Sequence, residues 1–306
     1  MRRSAAWVSA AALALVCVAS GAAADEIRTL DGRTLTPAAP TGEFRDLQET
    51  LLAEALEARV ADEGSVDAWI WVGRRQAYLG RYEEAIATYS EALERFAEDA
   101  RLLRHRGHRY LSLRRLDAAV VDFELAVSWV EGKPDEVEPD GLPNDRGIPT
   151  STLQTNIWYH LALARYLQGD FDGAASAWDR CLQLSTNDDM RVASAYWLYL
   201  SLRRAGQVER AAELLSSIEP GLDIIENDGY YELLLAFAGR LEASDLLTAS
   251  ESERGVVAYP TTAYGVGAWA LINDRPDRAL SLFEAILESS AVTAFGYIAA
   301  EAELAR

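Results

Sequence analysis

Along the chain, small and large apolar positions are set among charged ones in a pattern that repeats. Gly73, Ala85, Tyr89 and Ala92 return 34 residues later as Gly107, Ala119, Phe123 and Ala126. After an interruption the series resumes as Ala162, Ala174, Trp178 and Cys181, then as Tyr199, Ala211, Leu215 and Ile218. It ends as Gly267, Ala279, Phe283 and Ile286. Glycine-led turns at Gly80, Gly169, Gly206 and Gly239 punctuate the units. A fixed period of this kind marks stacked units that bury their faces against one another. Two flanking helices fit such a stack. Thr41 can cap a helix over 43–60, with Phe44, Leu47, Leu51 and Ala55 on the face that would cover the first unit. Residues 291–305 read as a single helix covering the last unit. Residues 25–42, with Gly32, Pro37 and Pro40, read as an extended N-terminal arm.

Trp69, Val72, Gly73, Gly80, Tyr82, Ala85, Tyr89 and Ala92 carry the signature of the first unit. In these positions the chain resembles the tetratricopeptide repeat family, whose unit is a pair of antiparallel helices. The resemblance covers about 66–290. It is weakest over 224–250 and lacks the proline that usually closes a unit, where Ala97, Glu131 and Thr186 stand. It implies an all-α fold, an α-solenoid of antiparallel helix pairs over 43–306 with one long inserted loop. Gly73 and Ala85 would lie where two helices cross closely, and Trp69, Tyr82 and Tyr89 would fill the space between pairs.

The rhythm breaks once, because Arg114 and Gly169 occupy equivalent turns 55 residues apart. The added segment is 131–150, whose Pro134, Pro139, Pro143 and Pro149 disfavour helix. A loop of this length is either solvated or an ordered lid over the repeat groove. Its acids Asp135, Glu136, Glu138 and Asp140 lack the spacing of a calcium loop.

Charge narrows the choice of partner. The 306 residues carry a net charge of −19, which argues against nucleic acid and against anionic membrane surfaces. One stretch stands apart. Between Asp99 and Asp117 there is no acid, and Arg101, Arg104, His105 and His108 share one helical stripe. The family resemblance places that stripe in the concave groove, where such proteins often bind extended peptides and hold a C-terminal carboxylate. Arg74 from the preceding unit and Asn156, Tyr159 and His160 from the following one share the register. This gives a candidate peptide or anion site of Arg74, Arg101, Arg104, His105, His108, Asn156, Tyr159 and His160, with Tyr159, Tyr196 and Trp197 as apolar contacts. Guanidinium forks suit a carboxylate. The competing reading is self-pairing with the chain's own carboxylates, the insertion's included. Arg106 stands where the first unit has Val72 and needs an acid such as Asp122 or Glu124. Three histidines could hold zinc, but the neighbouring arginines repel a dication, so no metal and no cofactor are expected.

Arg2 and Arg3, the apolar run Ala5–Ala19 and the Ala22-Ala23-Ala24 ending form a signal peptide over 1–24, with Asp25 as the mature N-terminus. Cys17 raises a lipid-anchored alternative, though it lacks the small residues usual before such a cysteine. Cleavage leaves Cys181 alone, on the inner stripe of a helix. No stable membrane insertion is expected after cleavage, and the location is periplasmic or secreted, the exported bacterial type. No nucleophile elbow, phosphate loop or Cys-x-x-Cys pair is present. The expected function is a non-catalytic exported scaffold for a protein or peptide partner. The alternative is a small-ligand binder or enzyme with a His/Arg site closed by 131–150, for which Asp140 or Arg146 would lie over the histidines. A structural assembly subunit is a third class, and the sequence leaves the oligomeric state open.

Overall fold

The computed structural model describes residues 24–252 and 257–306. The leader expected at 1–24 falls outside them apart from its last residue. The chain opens with a two-stranded antiparallel hairpin, β1 (Ile27–Arg28) and β2 (Thr34–Leu35), and then α1 (Gly42–Ala61). Six helix pairs follow: α2 (Val66–Tyr78) and α3 (Tyr82–Arg95), α4 (Ala100–Ser112) and α5 (Leu116–Val130), α6 (Leu153–Gln168) and α7 (Phe171–Leu184). The rest are α8 (Asp188–Arg204) and α9 (Val208–Ser216), α10 (Asp228–Phe237) and α11 (Ala243–Ser252), and α12 (Ala258–Ile272) and α13 (Pro276–Leu287). A last helix, α14 (Phe295–Leu304), completes the described chain. Turns this short make each pair antiparallel, and the whole is a helical solenoid.

Local chemistry sets where the units begin. Ser65, Asp99, Thr152 and Asn187 precede α2, α4, α6 and α8, and each side chain accepts a backbone N–H of its helix's first turn. Within a pair, a small residue on the first helix receives an aromatic ring from the second. A methyl group on Gly73 would collide with the Tyr89 ring, and one on Gly107 would come within 2.8 Å of Phe123. The glycine therefore sets the distance between the paired helices.

Two flanking elements differ from the sequence reading. The arm at 25–42 is not simply extended: Thr29 Oγ donates to Arg33 O at 2.9 Å across the hairpin turn, and Ile27 is buried beside Trp69 and Ile70. Helix α1 lies on α2 by a face that matches the expected one only in part, with Leu51 half-buried and Ala55 packed against Leu52, Val72 and Leu79. Gln48 and Leu52 point inward, whereas Phe44 and Leu47 remain 42% and 53% exposed. Polar contacts set this rotation. Arg75 Nη1 donates to Gln48 Oε1 at 3.0 Å, Arg81 pairs with Glu49, and the Arg59 guanidinium lies 4.6 Å from the Trp69 ring centre. Thr41 occupies the position before α1 but makes no capping bond.

The far end closes on the middle. Helix α14 packs on α12 and α13 and also on α6, three pairs back in the chain. Arg114, in the α4–α5 turn, donates from Nε and Nη2 to the Glu301 carboxylate at 2.9 Å each, and both side chains are fully buried. The same guanidinium also donates to Ser112 O and Val292 O. Arg306 reaches Tyr166 O and Leu167 O, and Glu303 pairs with Arg204. The 291–305 segment is thus more than a terminal cover, since it fills the inner face of the curved array. Helices α6 and α8 are consequently buried nearly all round.

Arg114 has φ 60, at the turn position that glycine holds in four other units. The left-handed conformation costs a non-glycine residue about 1–2 kcal/mol, and the bond to Glu301 offsets it. Arg114→Ala is expected to lose about 3–5 kcal/mol, because it strands a buried carboxylate. Arg114→Gly should lose about 1 kcal/mol less than Arg114→Ala, since glycine adopts this φ freely. Urea unfolding of both variants checks this, and equal losses would contradict the backbone cost.

Candidate functional site

Helices α2, α4 and α6 carry the candidate residues, and the inserted segment lies over them. The segment is ordered by its own acids. Asp135 accepts from Gln154 N at 3.0 Å and from Thr152 Oγ at 2.6 Å at the start of α6. Gln154 Nε2 donates to Lys133 O at 2.9 Å, and Leu153 N donates to Glu136 O at 2.9 Å. Farther along, Arg146 pairs bidentately with Asp223, and Asn187 Nδ2 donates to Thr150 O. The acids at 135–140 thus diverge into separate tasks and do not form a cation cluster.

Glu138 turns inward. Its carboxylate lies 3.1 Å from Arg104 Nε and 2.9 Å from His105 Nε2, and it accepts from Asn156 Nδ2 at 2.5 Å. Arg104 Nη1 meets His105 Nδ1 at 3.0 Å. The guanidinium can only donate, so that ring nitrogen accepts and the imidazole proton sits on Nε2, facing the carboxylate. Arg74 Nη1 donates to Pro139 O at 2.6 Å and Nη2 to Tyr78 OH at 3.3 Å. Burial would raise the Glu138 pKa, but Arg104, His105 and Arg74 together hold it well below the usual carboxylate range.

The structure brings Arg74, Arg104, His105 and Asn156 together around this one carboxylate. Arg101 sits at the rim, paired with Asp99 at 2.7 Å and Asp67 at 2.8 Å. His108 and His160 lie against each other, with ring centres 4.3 Å apart, beside Phe295 of α14. His160 Nδ1 is 2.6 Å from Asn156 O. Among the described residues no group of three or more histidine, cysteine or acidic side chains could hold a metal ion.

The expected aromatic contacts need correcting. Tyr159, Tyr196 and Trp197 are buried, and Trp197 Nε1 donates to Tyr159 OH at 3.1 Å. They form the core beneath α14 and offer no face to a partner. Neither Asp140 nor Arg146 lies over the histidines; Glu138 takes that place. Arg106 is bonded bidentately by Asp122 at 2.8 and 2.7 Å, one of the two acids its register called for. Cys181 is buried, with its thiol pushed up to about 12 by burial. Sequence reasoning missed Arg109, Tyr78 and Tyr89, which border the same cluster. Beside it a cleft of about 220 Å³ opens between α2 and the insertion, lined by Trp71, Arg74, Arg101, Val137 and Leu153 among others.

Tetratricopeptide repeat models match residues 66–99 and 157–185. In those two stretches the chain carries tetratricopeptide repeats. The matched stretches correspond to α2/α3 and to most of α6/α7, so the cluster centred on α4 lies between them. Similar solved structures include YrrB, a tetratricopeptide protein with an unusual peptide-binding site. It is 14% identical, with 76% of this chain and 91% of that one covered and a TM-score of 0.44. A tetratricopeptide repeat protein from Parabacteroides merdae is 12% identical, covering 84% and 94%, with a TM-score of 0.47. A chain of Naa15/Naa10 bound to HypK-THB is 16% identical, covering 81% and 37%, with a TM-score of 0.38. No curated protein matches the chain. Among the described residues no helix is long and apolar enough to cross a membrane.

The three histidines give the tetratricopeptide array a definite pH dependence. Burial, with Arg104 adding to it, lowers His105 from 6.5 to about 4 and His160 to about 3. Burial, Arg109 and His160 lower His108 well below 6.5. Unfolded histidines bind protons below about pH 6.5, while the folded ones stay neutral, so stability is fully present above that pH and falls as acid is added. The slope between about pH 6.5 and pH 5 is expected to approach 4 kcal/mol per pH unit, about 1.4 per histidine. Urea midpoints of the wild type and of His108→Leu across this range check it, and the variant should lose about one third of the slope.

Proposed function

We propose that this repeat scaffold is an exported, non-catalytic protein that binds an acidic peptide or a C-terminal carboxylate at the α2–α4–α6 cluster. The observation that carries the reading is Glu138. A carboxylate seated between Arg104, His105 and Asn156 exemplifies the chemistry this surface accepts, and a partner's carboxylate would take its place. The adjoining cleft, with Trp71 and Leu153 on its walls, offers apolar surface for the residue next to such a group. Two features favour binding over catalysis. The buried histidines are held neutral and enclosed, and none is arranged beside a nucleophile.

Export rests on the N-terminal sequence, with its basic start, apolar run and small-residue ending. Asp25 N donates to Gly80 O at 3.2 Å, and its carboxylate accepts from Glu83 N at 2.8 Å. A chain beginning at Asp25 keeps both contacts. Mass spectrometry of the protein from a periplasmic fraction is expected to find Asp25 as the first residue. Retention of Met1, or a lipid on Cys17, would refute this.

Binding is tested on a random-sequence peptide array with free C-termini, repeated with amidated ones. Glu138→Gln is expected to tighten capture of free-acid peptides about tenfold, equal to about 1.4 kcal/mol. Arg104→Gln should abolish the preference for the free acid. Equal binding of acid and amide by both the wild type and Glu138→Gln would overturn the reading.

A further inference from the structure

At three unit boundaries a donor at or beside one unit's turn reaches an acid at the second position of the preceding unit's second helix. Arg115 Nη1 donates to Glu83 at 3.1 Å, Gln168 Nε2 to Asp117 at 2.7 Å and Gln207 Nε2 to Asp172 at 2.7 Å. The last boundary departs from this pattern. Arg275 precedes α13 as Arg115 precedes α5, but the second residue of α11 is Ser244. Arg275 and Arg278 form no ion pair among the described residues. A pocket of about 320 Å³ opens at this boundary, lined by Phe237, Leu241, Trp269, Ser244, Arg275 and Arg278 among others. The Phe237 and Trp269 ring planes are 3° apart with centres 6.3 Å apart, and the Arg275 guanidinium lies 5.9 Å from the Trp269 ring centre. Both rings are half-buried, and both arginines are exposed. Glu242 is the one acid on the walls, so two guanidinium groups face a single carboxylate and one positive charge is left over. No residue of α14 or of the insertion lines this pocket, which sits at the turn edge of the array.

We propose that this pocket binds a small aromatic monocarboxylate, with its ring against Phe237 and Trp269 and its acid held by Arg275 and Arg278. The half-buried rings offer a third ring both apolar burial and offset or edge contact. The guanidinium forks present paired N–H donors to the two oxygens of a carboxylate, and one surplus positive charge calls for one negative charge. The volume falls at the small end of ligand sites, about 300–1,000 Å³, which suits one ring and its acid better than an extended chain. The pocket shares no residue with the α2–α4–α6 cluster. It therefore does not depend on the peptide reading, and either can fail alone.

The test is ligand-observed fluorine NMR on the full chain with 4-fluorophenylacetate, compared with its neutral isostere 4-fluorophenylacetamide. Saturable binding of the acid with Kd about 1 mM or tighter is expected, and the amide should bind roughly tenfold more weakly. Arg275→Gln combined with Arg278→Gln changes two exposed side chains and should bring the acid down to the level of the amide. Ser244→Glu supplies the acid that Glu83 and Asp172 provide at other boundaries. It should pair with Arg275 and weaken the fluorinated acid roughly tenfold, with helical circular dichroism unchanged. The blocked dipeptide acetyl-Phe-Glu-amide carries the same ring and charge on a peptide backbone and should compete less well than phenylacetate. Absence of saturable binding, equal binding of acid and amide, or unchanged affinity in the arginine or Ser244 variants would each overturn the proposal. Competition by the dipeptide as strong as that of phenylacetate would assign the pocket to a protein segment and overturn it as well. Glu138→Gln separates the two sites: it should tighten peptide capture, and it must leave binding of the fluorinated acid within about twofold.

Discussion

A buried ion pair between residues 187 positions apart, Arg114 and Glu301, fixes the shape of the inner surface. A stack of helix pairs has no inherent reason to close. Each unit buries its faces on its neighbours, and the inner faces of the first helices are left to solvent or to a ligand. Here α14 occupies that space across α6 and α12, anchored at the α4–α5 turn by Arg114 and at the ends of α6 and α8 by Arg306, Glu303 and Arg204. Isolated buried charges are costly, and removing one member of a buried pair costs more than the pair contributes. The arrangement therefore specifies one placement of α14 more sharply than apolar packing would. It also confines any ligand of the inner face to what α14 leaves open: the mouth between α2, α4 and the insertion.

That mouth is governed by charge complementarity within a single acidic chain. The stretch free of acids from 100 to 116 sits opposite an insertion rich in them. Folding brings the two together, with Asp135 fastening the insertion to α6 and Glu138 entering the arginine–histidine cluster. The histidines tolerate burial because they remain neutral; burial itself is the main reason for that neutrality, and the arginines around them add to it. A protonated imidazole between Arg104 and Arg109 would add a charge where positive charge is already in excess. Glu138 is thus the point where the insertion, the basic helix and the neutral histidine pair constrain one another.

Much of this was legible in the sequence and some was not, for physical reasons. The 34-residue period appears because glycine or alanine at one position faces a ring at another, as Gly73 faces Tyr89, and that demand recurs in most units, the Tyr199/Leu215 unit excepted. Arg106 was legible because a charge at a valine position needs an acid one turn away on the facing helix. The face of α1 was legible only in part, because the apolar stripe at 44, 47, 51 and 55 predicts burial throughout, whereas the contacts of Gln48 with Arg75 and of Arg59 with Trp69 go with a rotation that leaves 44 and 47 exposed. The return of α14 was not legible either: Ala299, Ala300 and Ala302 are small enough to cover a terminal face or to fill a groove, and local pattern treats the two alike. Tyr159, Tyr196 and Trp197 were assigned to the groove by register, which is correct for an open array but fails once α14 fills it.

Arg109 escaped for a related reason. It follows His108, so a helical step of about 100° carries it off the stripe that marked its neighbours, and the ring it meets, Tyr82, belongs to α3. In a chain with 48 acidic and 29 basic side chains, a carboxylate is available to almost any arginine. Arg74 lacks one because its guanidinium is taken up by Tyr78 OH and the neutral backbone of Pro139. Glu138 and Asp140 flank that proline, yet the first turns toward Arg104 and His105 and the second is exposed.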